Sequence, residues 1–345
     1  MATACKYGTH RVLEPIGVLP QPAKKLNNDF STLYDNEILV DVTALNIDSA
    51  SFTQISEACG GDEAKIGEMI LDIVNERGKM QNPVTGSGGM FIGTVHTVGA
   101  ALKDCDLKPG DKIASLVSLS LTPLRIDKIV KIIKAIDRVE IVGQAVLFES
   151  GLYAKLPDDM EENLVLAALD VAGAPAQTAK LVKPGDSVLV IGANGKSGML
   201  VSYEAKKRVG PNGNVVGAVI IDEPAHLLQD LGLAHKTIIA DATKAIDLMH
   251  KALEANGGRE YDVVINCVNV PNTEMASILP CRQGGVVYVF SMATSFTKAA
   301  LGAEGVGKDI DMIIGNGYTR GHANTTLWEL RENPGLRKFF EERYV

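Results

Sequence analysis

Directly after the apolar run Ser187-Val-Leu-Val-Ile191 comes the loop Gly192-Ala-Asn194-Gly195-Lys196-Ser197-Gly198, which opens a helical stretch near Met199. A chain turns this sharply from a buried strand into a helix where residues lack a Cβ, so the loop predicts one βα unit. Beyond it, apolar runs (NVVGAVIID, KTIIAD, DVVINCV, VVYVFS) alternate with helix-like segments such as GMLVSYEAKKRVG and ATKAIDLMHKALEANGG. Continuous apolar strands bounded by helices are buried on both faces. Residues 165–311 are therefore expected to form an α/β, doubly wound parallel sheet.

Strand, glycine loop, helix and second strand in this order make a Rossmann-type dinucleotide site. The backbone approaches a pyrophosphate closely, and the helix N-terminus meets its charge. Candidate cofactor-binding residues are Gly192, Asn194, Gly195, Lys196, Ser197 and Gly198. Cys267, Val268, Ser291 and Met292 join them, because open α/β sheets bind ligands at the carboxyl ends of their strands. Asp222, 24 residues beyond Gly198, is the candidate for the adenosine ribose, or else the N-cap of a helix at Glu223-Pro224. No Arg or Lys closely follows it to meet a 2′-phosphate, which favours NAD over NADP. A phosphate-binding P-loop is excluded, since Val190 stands where that motif needs its first glycine.

At 345 residues the chain exceeds one core. Residues 1–164 carry short β-like runs (38–45, 91–99, 112–120, 128–136, 144–150) and dense turn signals such as Lys108-Pro-Gly-Asp111. One helix is expected over 61–78, where Ile66, Met69, Ile70, Ile73 and Val74 share a face before a glycine. Residues 312–345 are amphipathic and read as a helical return onto this first domain. A net charge of −8 excludes nucleic acid and anionic membrane as partners. Five cysteines without a C-x-x-C indicate neither a disulfide framework nor a structural zinc cage, so a reducing cytoplasm is the expected setting. No apolar run approaches the ~20 residues of a bilayer span.

A β-rich domain with two KPGD turns, Lys108-Pro-Gly-Asp111 and Lys183-Pro-Gly-Asp186, then the glycine-loop domain and a short return together resemble the medium-chain dehydrogenase/reductase superfamily along nearly the whole chain. Gly88-Gly-Met-Phe-Ile-Gly93-Thr-Val95 is similar to its G-H-E-x-x-G-x-V segment, and Ala44-Leu-Asn46-Ile-Asp48-Ser49 to the segment of its first metal ligand. The resemblance implies a GroES-like catalytic domain over 1–164 with 312–345, and a homodimer or homotetramer. Asn46 and Gly89 stand at the first two metal positions, with Asp170 roughly at the third. Asn and Gly cannot replace thiolate and imidazole, so no zinc is expected.

In finer wording, KYGTHRVLEPIGVLPQPAKKL, ALNIDSASF, GKMQNPVTGSGG and GANGKSG resemble the L-erythro-3,5-diaminohexanoate dehydrogenase family. That resemblance implies NAD(P)-dependent oxidative deamination of a small diamino acid at C3, giving 5-amino-3-oxohexanoate and ammonia in anaerobic lysine fermentation. A zinc-free quinone or enoyl reductase and a non-catalytic dinucleotide-binding protein are the alternatives. Without a metal, carboxylates suit an amine substrate, because they attract an ammonium and accept its proton. Asp170 is the expected catalytic acid–base group, or else an N-cap for a helix around Val171–Leu181. Asp48 with Ser49 is expected in amine recognition or proton relay, or else in a turn. Asn46, Ser87 and Glu149 are candidate substrate contacts, Glu149 also reading as a solvated strand-end charge. Arg125, Arg320 and Lys79 are candidate cations for the substrate carboxylate, or surface residues; His10 and His322 read as structural.

Overall fold

The computed structural model describes residues 4–221, 223–291, 293–315 and 317–345, the side chains of 223–225 excepted. Packing divides the chain at Asp159/Met160 into two compact units. Among the described residues no helix is long and apolar enough to cross a membrane.

In the first unit six strands form an antiparallel sheet. Their spatial order is Leu124–Ile133, Arg138–Phe148, Glu37–Ile47, Gly89–Val98, Lys112–Ser115 and Tyr153–Lys155. Val40, Leu45, Phe91 and Val139 from neighbouring strands are fully buried. The expected helix is Glu63–Arg77. Asp62 accepts from the N–H groups of Ala64 and Lys65 at its start, and Gly78 ends it at φ +66°. A second helix, Ser49–Ala58, was not expected. Phe52 and Ile55 anchor it in the core, but two apolar residues three apart are too few to show a helical period in sequence.

The second unit carries the doubly wound sheet. Its strands are all parallel, in the order Lys236–Ile239, Asn214–Val219, Ser187–Ile191, Tyr261–Asn266, Cys281–Val289, Ile310–Ile314. Strand order reverses beside Ser187–Ile191, the position at which such sheets open a crevice. A division at 311/312 would cut the sixth strand, where Met312 pairs with Val287. The terminal helices also lie in this unit. His322–Glu332 packs on Gly173–Leu181, with Thr326 Oγ1 donating to the carbonyl of Ala172 at 3.4 Å, and Pro334–Tyr344 packs on Glu162–Leu169. Packing thus groups 160–345 together, and the expected return of 312–345 onto the first domain is replaced by burial of Leu330, Leu336 and Phe340 in the second unit. An amphipathic pattern specifies that a face is buried, not what covers it.

Candidate functional site

Gly192 leaves its strand at φ +79°, and a Cβ there would stand 2.9 Å from Val268 Cγ2. A Cβ on Gly198 would stand 2.1 Å from the carbonyl oxygen of Gly192. Both glycines are therefore required by the fold of the loop. Gly195 is the N-cap of helix Lys196–Val209 and no side chain caps the first turn, so its N–H groups remain available to an anion. Against this loop lies a cavity of about 560 Å³, lined by Gly192, Asn194, Gly195, Cys267 and Val268 and by the strand ends Ala218 to Ile220. Size, glycine cradle and uncapped helix fit a dinucleotide.

Cys267 meets this cavity as a neutral thiol. Burial pushes it up to about 12, against the opposing effect of a hydrogen bond with Ser197. Ser291 is buried, and its Oγ accepts from the N–H of Ala293 at 3.1 Å within its own loop. Asp222 and Met292 lie outside the described residues. Asp170 is not an N-cap. It closes helix Glu162–Leu169 in helical conformation, its N–H donating to Leu166, and the next helix begins only at Gly173. Its half-exposed carboxylate accepts from Lys196 Nζ at 2.5 Å.

In the first unit Asn46, Asp48, Ser49 and Ser87 gather where the strand Glu37–Ile47 runs into helix Ser49–Ala58. Asp48 Oδ2 accepts from the N–H of Gly88 at 3.1 Å, and Ser49 donates to Asp137 at 2.5 Å. Ser87 Oγ lies 2.6 Å from Ser51 Oγ, which is fully buried and also 2.5 Å from Thr85 Oγ1. Asn46 Oδ1 is buried and has no hydrogen-bond partner among the described residues. Gly89 sits at φ +113°, and a Cβ there would stand 2.0 Å from the carbonyl oxygen of Asn46. No metal-ligating side chain can occupy that position in this backbone.

Glu149 does not join this group. Phe148 pairs with Glu37 at one end of the strand and Arg138 with Asn46 at the other, which separates them by roughly 30 Å at 3.3 Å per residue. Glu149 is exposed at its strand end and accepts from Asn36 at 3.1 Å. Lys79, expected at the surface or against substrate, is fully buried. Its ammonium donates to the carbonyls of Pro20, Gln21 and Ser120, and burial lowers it to about 8. Arg125 pairs with Asp127 and Gln144, and His10 with Glu37.

Residues 10–157 match the family model described as the L-erythro-3,5-diaminohexanoate dehydrogenase N-terminal domain. A protein of Acetoanaerobium sticklandii named L-erythro-3,5-diaminohexanoate dehydrogenase is 66% identical over 342 residues, 99% of either chain. One of the same name from Fusobacterium nucleatum subsp. nucleatum is 65% identical over 346 residues, all of both chains. The chain belongs to the L-erythro-3,5-diaminohexanoate dehydrogenase family. It is an enzyme, an oxidoreductase of the dehydrogenase class. Solved structures bear on the fold alone. AibC superimposes with a TM-score of 0.54 at 16% identity, over 90% of this chain and 89% of that one. Escherichia coli quinone oxidoreductase complexed with NADPH gives 0.51 at 18%, over 92% and 82%.

Sequence reasoning passed over several residues of this dehydrogenase. Asp241 lines the cavity, and its carboxylate is held low by hydrogen bonds from the Thr243 side chain and N–H. Its signal was its place directly after an apolar strand, KTIIAD. Ser51 and Asn82 had none. Both are fully buried beneath the loop that carries Ser87, with Asn82 accepting from the N–H of Val84 at 2.8 Å.

Proposed function

We propose that this dehydrogenase oxidises the C3 amine of L-erythro-3,5-diaminohexanoate to 5-amino-3-oxohexanoate and ammonia, in the cytoplasm, as a step of anaerobic lysine fermentation. Full-length identity with two dehydrogenases named for that substrate carries the reading. The cavity at the glycine loop holds NAD or NADP, with NAD favoured by the lack of a cation after Asp222. The bound nicotinamide supplies the hydride acceptor. Asp170, beside the glycine loop in the same unit, takes a proton from the substrate ammonium and releases it to solvent, then takes one from the water that adds to C3 and returns it to the departing amine, which leaves as ammonia. Asp48 with Ser49 recognises the amine, assisted by Asn46 and Ser87. The reaction needs no zinc. Asn46 is no thiolate, and a side chain at position 89 would collide with backbone.

A second copy of the chain is the proposed protein partner, in a homodimer or homotetramer. The outer strand Ile310–Ile314 has a pairing partner on one side only among the described residues, and Met312 and Ile314 are exposed there. The deciding assay is absorbance at the reduced-nicotinamide band, with metal-stripped enzyme, 3,5-diaminohexanoate and either NAD⁺ or NADP⁺. Reduction is expected with at least one. No reduction with either sinks the substrate, and loss of activity on chelation sinks the zinc-free chemistry. Oxidation of reduced nicotinamide by quinones or enones, with no amine turnover, would identify the reductase alternative. Dinucleotide binding without any turnover would identify a non-catalytic protein.

A further inference from the structure

We propose that Lys196 is the positioning residue of this reaction, its ammonium fixing the Asp170 carboxylate and being fixed in turn by the ring of Tyr344. The proposal rests on the reading of Asp170 as the proton-transfer group.

A lysine is out of place at the first position of helix Lys196–Val209. The positive end of the helix disfavours a cation there, and a loop that cradles phosphate works through backbone and small residues. Such a lysine needs an anionic partner, and two are conceivable, a bound pyrophosphate or a protein carboxylate. The geometry separates them. Gly192, Asn194 and Gly195 line the 560 Å³ cavity, whereas Lys196 does not. Its Nζ is turned to Asp170 Oδ2 at 2.5 Å and lies 5.6 Å from the centroid of the Tyr344 ring.

Each partner has a reason to be there. Lys196 is the one hydrogen-bonding partner of the Asp170 carboxylate among the described residues. Asp170 is half-exposed at a helix end, so without the lysine its side chain would sample several rotamers. Exposed ion pairs add little to stability, so the pair acts chiefly on geometry. Tyr344 arrives from the last turn of helix Pro334–Tyr344, and its ring packs at 5.2 Å on the fully buried Phe340. An aromatic face held by the core gives the ammonium a fixed seat. The last helix of the chain is thereby tied to the proton-transfer group.

The test compares K196M, K196R, D170N, Y344L and the K196M/D170N double variant as full chains at saturating dinucleotide. Thermal unfolding confirms that each is folded. Misplacing a reacting group by an ångström costs about 100-fold, so K196M is expected to lower kcat by roughly 10- to 100-fold. KM for the dinucleotide should stay within about twofold, since the lysine does not face the cavity. K196R should recover most of the loss, Y344L should show a smaller one, and the double variant should be no slower than D170N alone. A raised dinucleotide KM at unchanged kcat in K196M would place Lys196 on the pyrophosphate and overturn the proposal. So would losses that multiply in the double variant. D170N at wild-type kcat would remove the Asp170 reading and the proposal with it, whereas a slow D170N beside a fast K196M would remove the proposal alone.

Discussion

A methyl group at Gly198 has nowhere to go, standing 2.1 Å from a backbone oxygen of the loop it closes. Gly198→Ala should push that loop out of its phosphate-binding shape and weaken dinucleotide binding by roughly tenfold or more, about 1.4 kcal/mol. Fluorescence titration with NAD⁺ and NADP⁺ reads this directly. Unchanged affinity in a folded variant would mean that the loop adjusts freely. Cys267, in the same cavity, yields a second prediction. With its thiol at about 12, a negligible fraction is thiolate at neutral pH. Cys5 differs, because hydrogen bonds, chiefly from the Thr9 side chain, lower its thiol below the usual value. Iodoacetamide at neutral pH should therefore label Cys5 well before Cys267, followed by peptide mass spectrometry. Faster labelling of Cys267 would contradict the burial that keeps it neutral.

Helices Lys196–Val209 and His322–Glu332 meet over two buried carboxylates, Glu204 and Glu329. Glu204 has Arg208 Nε at 2.7 Å and Lys207 Nζ at 3.5 Å. Glu329 is fully buried, and neither of its carboxyl oxygens has a hydrogen-bond partner among the described residues. Burial raises Glu329 well above the usual carboxyl range, and neighbouring Glu204 and Glu332 add to the effect, while Lys207 and Arg208 oppose it. Because the folded value exceeds the unfolded one, the stability linked to this group is complete in acid and is lost as pH rises through the folded value. Glu329→Gln should therefore unfold at a higher temperature than the wild type on the alkaline side, by about 2–4 °C for each kcal/mol recovered. The advantage should shrink towards acid pH. Calorimetry across pH tests it, and parallel curves would show that Glu329 titrates alike in the folded and unfolded chains.

At the scale of the whole molecule, the outer strand Ile310–Ile314 is the exposed margin of the second unit. A charge on an apolar edge strand opposes edge-to-edge pairing. Met312→Lys with Ile314→Lys should therefore shift the homo-oligomer proposed above towards the monomer in sedimentation velocity while leaving the unfolding temperature of a monomer nearly unchanged. An unaltered sedimentation coefficient, with an oligomer present, would move the interface elsewhere.

By itself the sequence determined the doubly wound sheet, the glycine loop between its strand Ser187–Ile191 and the next helix, and the helix over 61–78. Each of these rests on local chemistry, whether an apolar period or a glycine where a Cβ would collide. Tertiary structure alone decided that 312–345 packs with the second unit, that Lys79 is buried on three carbonyls and that Glu149 lies at the opposite end of the sheet register from Asn46. It also decided that Asp170 is held by Lys196 rather than capping a helix. Those outcomes depend on which residues far apart in the chain are brought together, and the pattern of one segment carries no record of its partner.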